Sequence, residues 1–211
     1  MTRGFFITLE GIEGAGKTTL ASALRDAVTT CGLTVCKTRE PGGTPSAERL
    51  RAVLLERGDD TISAVAETLL MFAARAIHVD TLIRPALNRG EWVLCDRFTD
   101  ATRAYQGAGR GVSRELIESL AAAVHKDLQP DCTLLLDLPP VLGLQRAQAR
   151  SPGASADRFE SEALDFFARV RASYLALAAA EPQRFVVLDA TLNAASMAQT
   201  AIAAVMLRVA P

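Results

Sequence analysis

The chain is short of nearly everything that would mark it as secreted, membrane-bound or held together by metal. Its 211 residues include four cysteines, Cys31, Cys36, Cys95 and Cys132, and no C-x-x-C pair. Three of the four lie in or beside apolar runs, where a free thiol behaves as a small buried hydrophobe, so disulfides and structural zinc are not expected. His78 and His125 are far apart and lack ligand spacing, which leaves both as ordinary helix residues. No apolar run reaches the length of a bilayer span. Met1-Thr2-Arg3-Gly4 leads straight into an apolar strand, leaving no room for a signal peptide. A cytoplasmic chain with no membrane partner is therefore expected. Charge of one sign is missing as well: the net charge is −1, so no overall basic field speaks for nucleic acid. Lysine is scarce, with only Lys17, Lys37 and Lys126 among 23 basic residues. The remainder are arginines, several beside glycine or aspartate. Arginine suits forked phosphate recognition, and the pattern fits small phosphorylated ligands better than a long polyanion.

What the chain does have is apolar residues, at 49%, and a length ample for one closed core. Five short apolar runs, at 5–9, 33–38, 92–95, 133–138 and 185–189, read as buried strands. Helical spacing fills the intervals between them. The expected fold is α/β with three layers, a five-stranded parallel sheet flanked by helices and joined by right-handed crossovers. Residues 1–211 should form a single domain. Strand order is not legible from the string.

The stretch that organises the rest is Gly11-Ile12-Glu13-Gly14-Ala15-Gly16-Lys17-Thr18, followed by Thr19. It fits G-x-x-x-x-G-K-[ST], lies directly after the first strand and opens a helix through Leu20, Leu24 and Val28. A helix start leaves unpaired N–H groups and a partial positive charge, a ready site for anions. Gly14 and Gly16 can take positive φ and let the backbone wrap phosphate oxygens. Lys17 would reach the outer phosphates and the Thr18 hydroxyl would hold Mg²⁺. The strand–turn–helix context makes this a nucleotide site rather than an ordinary glycine-rich turn.

Further along, charged residues gather where strands end, which is where ligands bind in open parallel sheets. The second strand ends in Arg39-Glu40-Pro41-Gly42-Gly43-Thr44, with Ser46 a candidate cap for the helix that carries Arg51. From 64 to 87 runs a long, mostly apolar helical stretch that Pro85 bends. Within it Arg75 is anomalous, and the residues alone leave two readings: an arginine snorkelling to water, or a guanidinium aimed into a pocket. The third strand ends in Asp96-Arg97-Phe98, then a polar, glycine-rich tract with Thr102, Tyr105 and Gln106, and Ser113 as an N-cap. The fourth ends in Asp137. After the next helix, residues 146–158 place Arg146, Arg150 and Arg158 among small and turn-forming residues. That composition describes either a solvated loop or a cationic mobile flap.

No N-K-x-D guanine reader is present, and Ile12 stands where a partitioning ATPase would carry a lysine. A small kinase remains. The loop G-I-E-G-A-G-K-T-T, then R-E-P-G-G-T, L-L-M-F-A-A-R, D-R-F-T-D-A-T-x-A-Y-Q-G and the flap R-A-x-A-R…D-R-F together resemble bacterial thymidylate kinase along the whole chain. The resemblance implies ATP and dTMP as substrates, Mg²⁺ as cofactor and a homodimer built on apolar helices between Ala47 and Leu87. It implies that Glu13 lies near the acceptor's 3′-hydroxyl, and that Arg39, Arg51 and Arg97 surround the acceptor phosphate. Arg75 would hydrogen-bond the thymine carbonyl, Thr102 and Gln106 would read the base, and Tyr105 would pack by the sugar. Asp96 would lie beside Mg²⁺ with Thr18. Family members carry the catalytic arginine either in the phosphate loop or in the flap; with Gly14 in the loop, this chain resembles the flap-arginine class, with Arg150 and Arg146. Two departures stand out: Met71, with Phe72 beside it, occupies the place of the stacking phenylalanine, and Gln148 replaces a flap arginine. The alternatives are a related kinase with another acceptor, and a nucleotide-gated ATPase switch.

Overall fold

Five apolar runs become five parallel strands in the computed structural model, which describes residues 3–56, 62–150 and 163–209, with backbone alone at 150 and 209. They are β1 (Phe6–Glu10), β2 (Val35–Arg39), β3 (Trp92–Asp96), β4 (Cys132–Asp137) and β5 (Phe185–Asp189). The sheet order is β2-β3-β1-β4-β5, with every neighbouring pair parallel. Central β1 is buried along its whole length while β2 and β5 at the edges are only partly covered. The sequence pattern follows from that position, since a strand covered on both faces has no reason to alternate.

The helices are α1 (Lys17–Thr30), α2 (Pro45–Leu55), α3 (Ala64–His78), α4 (Arg84–Asn88), α5 (Thr99–Thr102), α6 (Arg114–His125), α7 (Pro140–Arg150), α8 (Leu164–Ala180) and α9 (Ala194–Val209). Successive strand residues point to opposite faces. Ile7, Leu9 and Leu94 join the core built with Leu20, Leu24 and Val28 of α1 and Ala201 and Val205 of α9. Phe6, Val93 and Cys95 join a second core with Val79, Ile83 and Leu87. Among the described residues, no helix is long and apolar enough to cross a membrane.

Two local expectations need correction. The helix after β2 is capped by Thr44, not Ser46: the Thr44 hydroxyl accepts from Ala47 N and Pro45 takes the first turn, where its missing N–H costs nothing. The apolar stretch from 64 to 87 is not one bent helix. A π-helical segment, Val79–Ile83, separates α3 from α4, and Arg84 N reaches back to Val79 O. Pro85 has no N–H to continue an α ladder, so the turn before it widens. The polar tract after β3, given no structure by the sequence pattern, is helical from Thr99 to Gly109, α5 running into a π-helical segment, Arg103–Gly109. Gly109 is there for close packing: a Cβ on it would stand 2.5 Å from Phe166 Cε2.

Helix α7 sets the height of the phosphate loop. Gly143 lies so close that a Cβ there would meet Glu13 O at 2.7 Å and Ile12 Cδ1 at 2.8 Å. Gly143→Ala should therefore destabilise the fold by about 1–3 kcal/mol through overpacking. It should also weaken nucleotide binding by displacing the loop. Urea unfolding together with ADP titration checks both parts.

Candidate active site

Register places the functional ends side by side. Leu9 pairs with Asp96 and Arg39 pairs with Asp96 from the other side, so the turns after β1, β2 and β3 emerge at one sheet edge. β1 and β3 are neighbours although β2 precedes β3 in sequence, and the crevice at such a switch is where open α/β sheets bind ligands.

In the first turn, Gly11, Gly14 and Gly16 adopt φ of 132°, 74° and 95°, which no other residue takes without strain. Ile12 and Ala15 are buried and wedge the loop onto the core, leaving Glu13, Gly14, Gly16, Lys17, Thr18 and Thr19 to line an open cleft. Lys17 Nζ donates to Gly11 O at 3.0 Å and Ile12 O at 2.8 Å. Burial, and then the charge of Arg97, lower its pKa to about 8 against the pull of Asp96 and Glu13. Asp96 Oδ1 is buried and has no partner among the described residues. It faces the same cleft as the exposed Thr18, and an orphan carboxylate oxygen with a hydroxyl beside phosphate is a donor set suited to Mg²⁺.

The second turn is strained. Arg97 takes φ of 71°, a region that favours glycine. Two bonds hold it there: Arg97 N donates to Leu9 O, and Phe98 N donates to Glu10 Oε1 at 2.8 Å. The Arg97 guanidinium then meets Glu13 Oε1 at 2.7 Å, Tyr105 Oη at 3.0 Å and Tyr174 Oη at 3.3 Å. Tyr105 donates to Glu13 Oε2, and Tyr174 donates to Glu10 Oε2, each at 2.7 Å. Burial works against the Arg97 charge, but Tyr105 and Glu13 keep its pKa well above the usual value. Glu10 is different: burial, and then Asp100, raise its pKa to about 8.

Beside the phosphate cleft lies a second cavity of about 90 Å³, sharing Glu13, Glu40, Arg51 and Arg97 with it. Arg75 forms part of its wall, 2% exposed. Its Nε donates to Glu40 Oε2 at 2.6 Å, and Nη2 donates to Phe98 O at 3.2 Å and Thr102 Oγ1 at 3.1 Å. Its Nη1 is buried with no partner among the described residues. The guanidinium carbon stands 4.7 Å from the Phe72 ring centroid and 5.2 Å from that of Phe98. The snorkelling alternative is thus excluded. Glu40 is held in turn by His78, whose Nδ1 lies 3.0 Å from Oε1, while His78 Nε2 lies 2.7 Å from Thr38 Oγ1. Burial opposes the Glu40 charge, but Arg75 and then His78 bring its pKa below the ordinary carboxylate value. Glu40, His78 and Cys95 are near enough to suggest a cation site, but Cys95 Sγ donates to Arg97 O, so each already has a protein partner.

The remaining expected residues distribute unevenly. Met71, Thr102, Tyr105 and Gln106 line the second cavity, whereas Phe72 is buried beneath Arg75, so Met71 supplies the wall. Arg51 Nη1 donates to Pro41 O, and Arg39 pairs with Glu48 at the cleft's rim. Arg146 lies against Gly14 of the loop but does not line the cleft, and its Nη1 donates to Ala190 O at 2.8 Å. The Arg150 side chain and 151–158, the rest of the expected flap, lie outside the described residues. Sequence reasoning underplayed Glu40 and Phe98. Both follow strand ends, and that placement was the available signal.

A phosphate loop with its lysine, sharing a wall with an arginine-lined acceptor cavity, defines a P-loop nucleotide kinase. Comparison with known proteins narrows the class. A family model described as thymidylate kinase matches residues 9–202. A thymidylate kinase of Pseudomonas fluorescens is 54% identical over 197 residues, covering 93% of this chain and 92% of the relative. One from a Geobacter species is 54% identical over 189 residues, covering 88% and 84%. The crystal structure of the thymidylate kinase from Ehrlichia chaffeensis superposes with a TM-score of 0.78 at 30% identity, covering 97% of this chain and 99% of that one. The chain belongs to the thymidylate kinase family.

Because burial lowers the Lys17 pKa to about 8 and a neighbouring phosphate favours its charged form, phosphate binding should take up a proton above that pH. ADP affinity should fall as pH rises from 7 to 9.5, by at most about tenfold per unit. Calorimetric titration across that range should show the slope, and Lys17→Met should bind weakly and without it.

Proposed function

We propose that the chain, acting as a single kinase domain, transfers the terminal phosphoryl group of Mg·ATP to dTMP, giving dTDP and ADP. The observation that carries the choice of acceptor is Arg75. Its Nε and Nη2 are fixed by protein oxygens, and its Nη1 is buried without a partner in the cavity wall. An orphaned donor of this kind calls for a ligand acceptor, since leaving it unpaired costs about 1–3 kcal/mol. The O4 carbonyl of thymine supplies one, with the ring flat against Met71 and Phe98. Glu13 and Tyr105, bonded to each other, then stand by the sugar, and their closed pair leaves little room for a ribose 2′-hydroxyl.

The acceptor phosphate falls at the junction of the two cavities, among Arg39, Arg51 and Arg97. The backbone from Gly11 to Thr19 holds ATP, and Lys17 leaves its two carbonyls for the outer phosphates. Thr18 and Asp96 would hold Mg²⁺, which when bound neutralises phosphate charge. Little covalent work remains for the protein: positioning and charge stabilisation carry the rate. Gly14 supports the assignment of the catalytic arginine to the flap. It sits at φ 74°, and a Cβ there would overlap the Gly143 carbonyl, so a loop arginine would force α7 away. Arg150 takes that role in our reading, with Arg146 placed to steady its helix rather than the phosphate.

A homodimer is supported by α3. Val65, Leu69 and Ala73 are exposed on it, with Ile77 half-buried, at successive four-residue spacing. Such a stripe suits a second copy packing helix against helix. A cytoplasmic location follows from the substrates, where free ATP and Mg²⁺ are held.

Steady-state assay of ADP release with dTMP, dUMP, dCMP and dGMP tests the whole reading; absence of dTDP from dTMP would end it. Arg75→Ala should raise the KM for dTMP by tenfold or more, on the order of one buried charged hydrogen bond, and spare that for ATP. Equal effects on both substrates would refute its role. Arg150→Ala should lower kcat by about 10²–10³, somewhat less than a GTPase arginine finger. An unchanged kcat would remove Arg150 from the mechanism.

A further inference from the structure

Glu67 is a fully buried carboxylate that the reaction does not use. It lies in the first turn of α3, at 0% exposure, outside both cavities. Burying such a charge is costly, and an apolar residue would fill the same space more cheaply. Its Oε1 accepts two bonds at once, from Arg110 Nε at 2.8 Å and from Gln106 Nε2 at 2.8 Å. Arg110 is fixed on its other side by the Phe166 ring, 5.5 Å from its guanidinium carbon. The group therefore spans α3, the π-helical segment and α8.

The chemistry of that oxygen decides which way Gln106 faces. A guanidinium only donates, so Glu67 Oε1 is committed as an acceptor. An amide turned the other way would set its own oxygen 2.8 Å from another acceptor. The nitrogen of Gln106 must therefore face Glu67, on grounds of donor and acceptor type and not of the amide's drawn orientation. Gln106 lines the acceptor cavity, and the atom that Glu67 leaves unheld is its carbonyl oxygen.

We propose that Glu67 is a specificity-determining positioning residue: by holding the amide of Gln106, it presents an acceptor to the base edge beside the donor of Arg75. This rests on the reading that the cavity takes the base of dTMP. Thymine offers N3–H as donor and O4 as acceptor, the complement of that pair. Cytosine reverses both, with an unprotonated N3 and an amino group, so it meets acceptor against acceptor and donor against donor. A free amide would rotate and accept either base; a pinned one rejects cytosine. Glu67 touches no ligand and acts only through Gln106.

The test is the ratio of kcat/KM for dTMP to that for dCMP, measured in the wild type, Gln106→Leu, Glu67→Met, Glu67→Gln and the double variant Glu67→Met/Gln106→Leu. Gln106→Leu should lower the preference for dTMP about tenfold or more, because a site built to hydrogen-bond discriminates through that bond. A preference that rises or stays the same shows the amide facing the other way or away, and overturns the proposal even if no Glu67 variant folds. Glu67→Met should lower the ratio in the same direction, through KM more than kcat. Glu67→Gln retains an oxygen that can accept from both partners and should keep the preference. In the double variant the ratio should match Gln106→Leu alone. Additive losses there, or equal losses in Glu67→Gln and Glu67→Met, would reduce Glu67 to a structural charge. Wild-type enzyme that makes no dTDP would instead sink the underlying reading, a distinct result.

Discussion

Two anionic phosphate groups repel, and everything at the carboxyl edge of this sheet is arranged around that repulsion. At about 4 Å, two unit charges cost ~1 kcal/mol in water and about 4 kcal/mol near a protein surface. The cations that offset this must be in place before the ligands arrive, or the gain is spent on organising them. Parallel pairing of β1 with β3 does the organising. It brings the loop that holds Lys17 next to the turn that holds Asp96 and Arg97, with no covalent neighbourhood to help. The Phe98 N–Glu10 bond locks that turn into its strained form, so Arg97 points at Glu13 rather than at solvent. Tyr174 ties the same carboxylate to α8, and the network closes on itself.

The second cavity poses a different problem, holding polar atoms still in a partly apolar slot. Two of its polar lining residues are each anchored by a buried acid, Arg75 by Glu40 and Gln106 by Glu67. Buried ion pairs contribute little net stability, because the desolvation cost nearly cancels the attraction. What they fix is direction. Glu40 is itself held by His78 and thence Thr38, and Gly43 is needed because a Cβ would stand 2.5 Å from His78 Nε2. Thus Gly43 serves the Arg75 guanidinium indirectly, through its packing on His78 rather than contact with ligand.

How much of this was legible beforehand depended on range. The five strands, the phosphate loop and the helix starts are local signals, and they are where the periodicity placed them within a residue or two. The Ser113 cap is local too, its hydroxyl accepting from Leu116 N. Arg75 was ambiguous because its meaning lies in Glu40 and Phe98, 35 and 23 residues away in the chain. Thr99 to Gly109 carried no helical signature because tertiary packing overrides its composition: α5 is buried on every residue, and Gly109 admits Phe166. The choice between Met71 and Phe72 turns on about 100° of helix rotation, which a sequence without neighbours cannot set. Family resemblance supplied roles for these positions. It did not supply the acids that hold them.

The positions of those acids also explain why the two halves of the site are not independent. Helix α8 begins just after the arginine-bearing tract that ends at 158, and it reaches both halves. Tyr174 bonds Glu10 beneath the phosphate turn, and Arg169 donates to Gly109 O at 2.9 Å, at the end of the segment that carries Tyr105 and Gln106. Phe166 packs edge-on to Tyr105, with ring centroids 5.9 Å apart, and also against Arg110. A shift of α8 along its axis would therefore disturb the Glu10 lock and the Glu67–Gln106 bond together. The linings of both cavities thus rest on one helix, through Tyr174 on one side and Phe166 and Arg169 on the other.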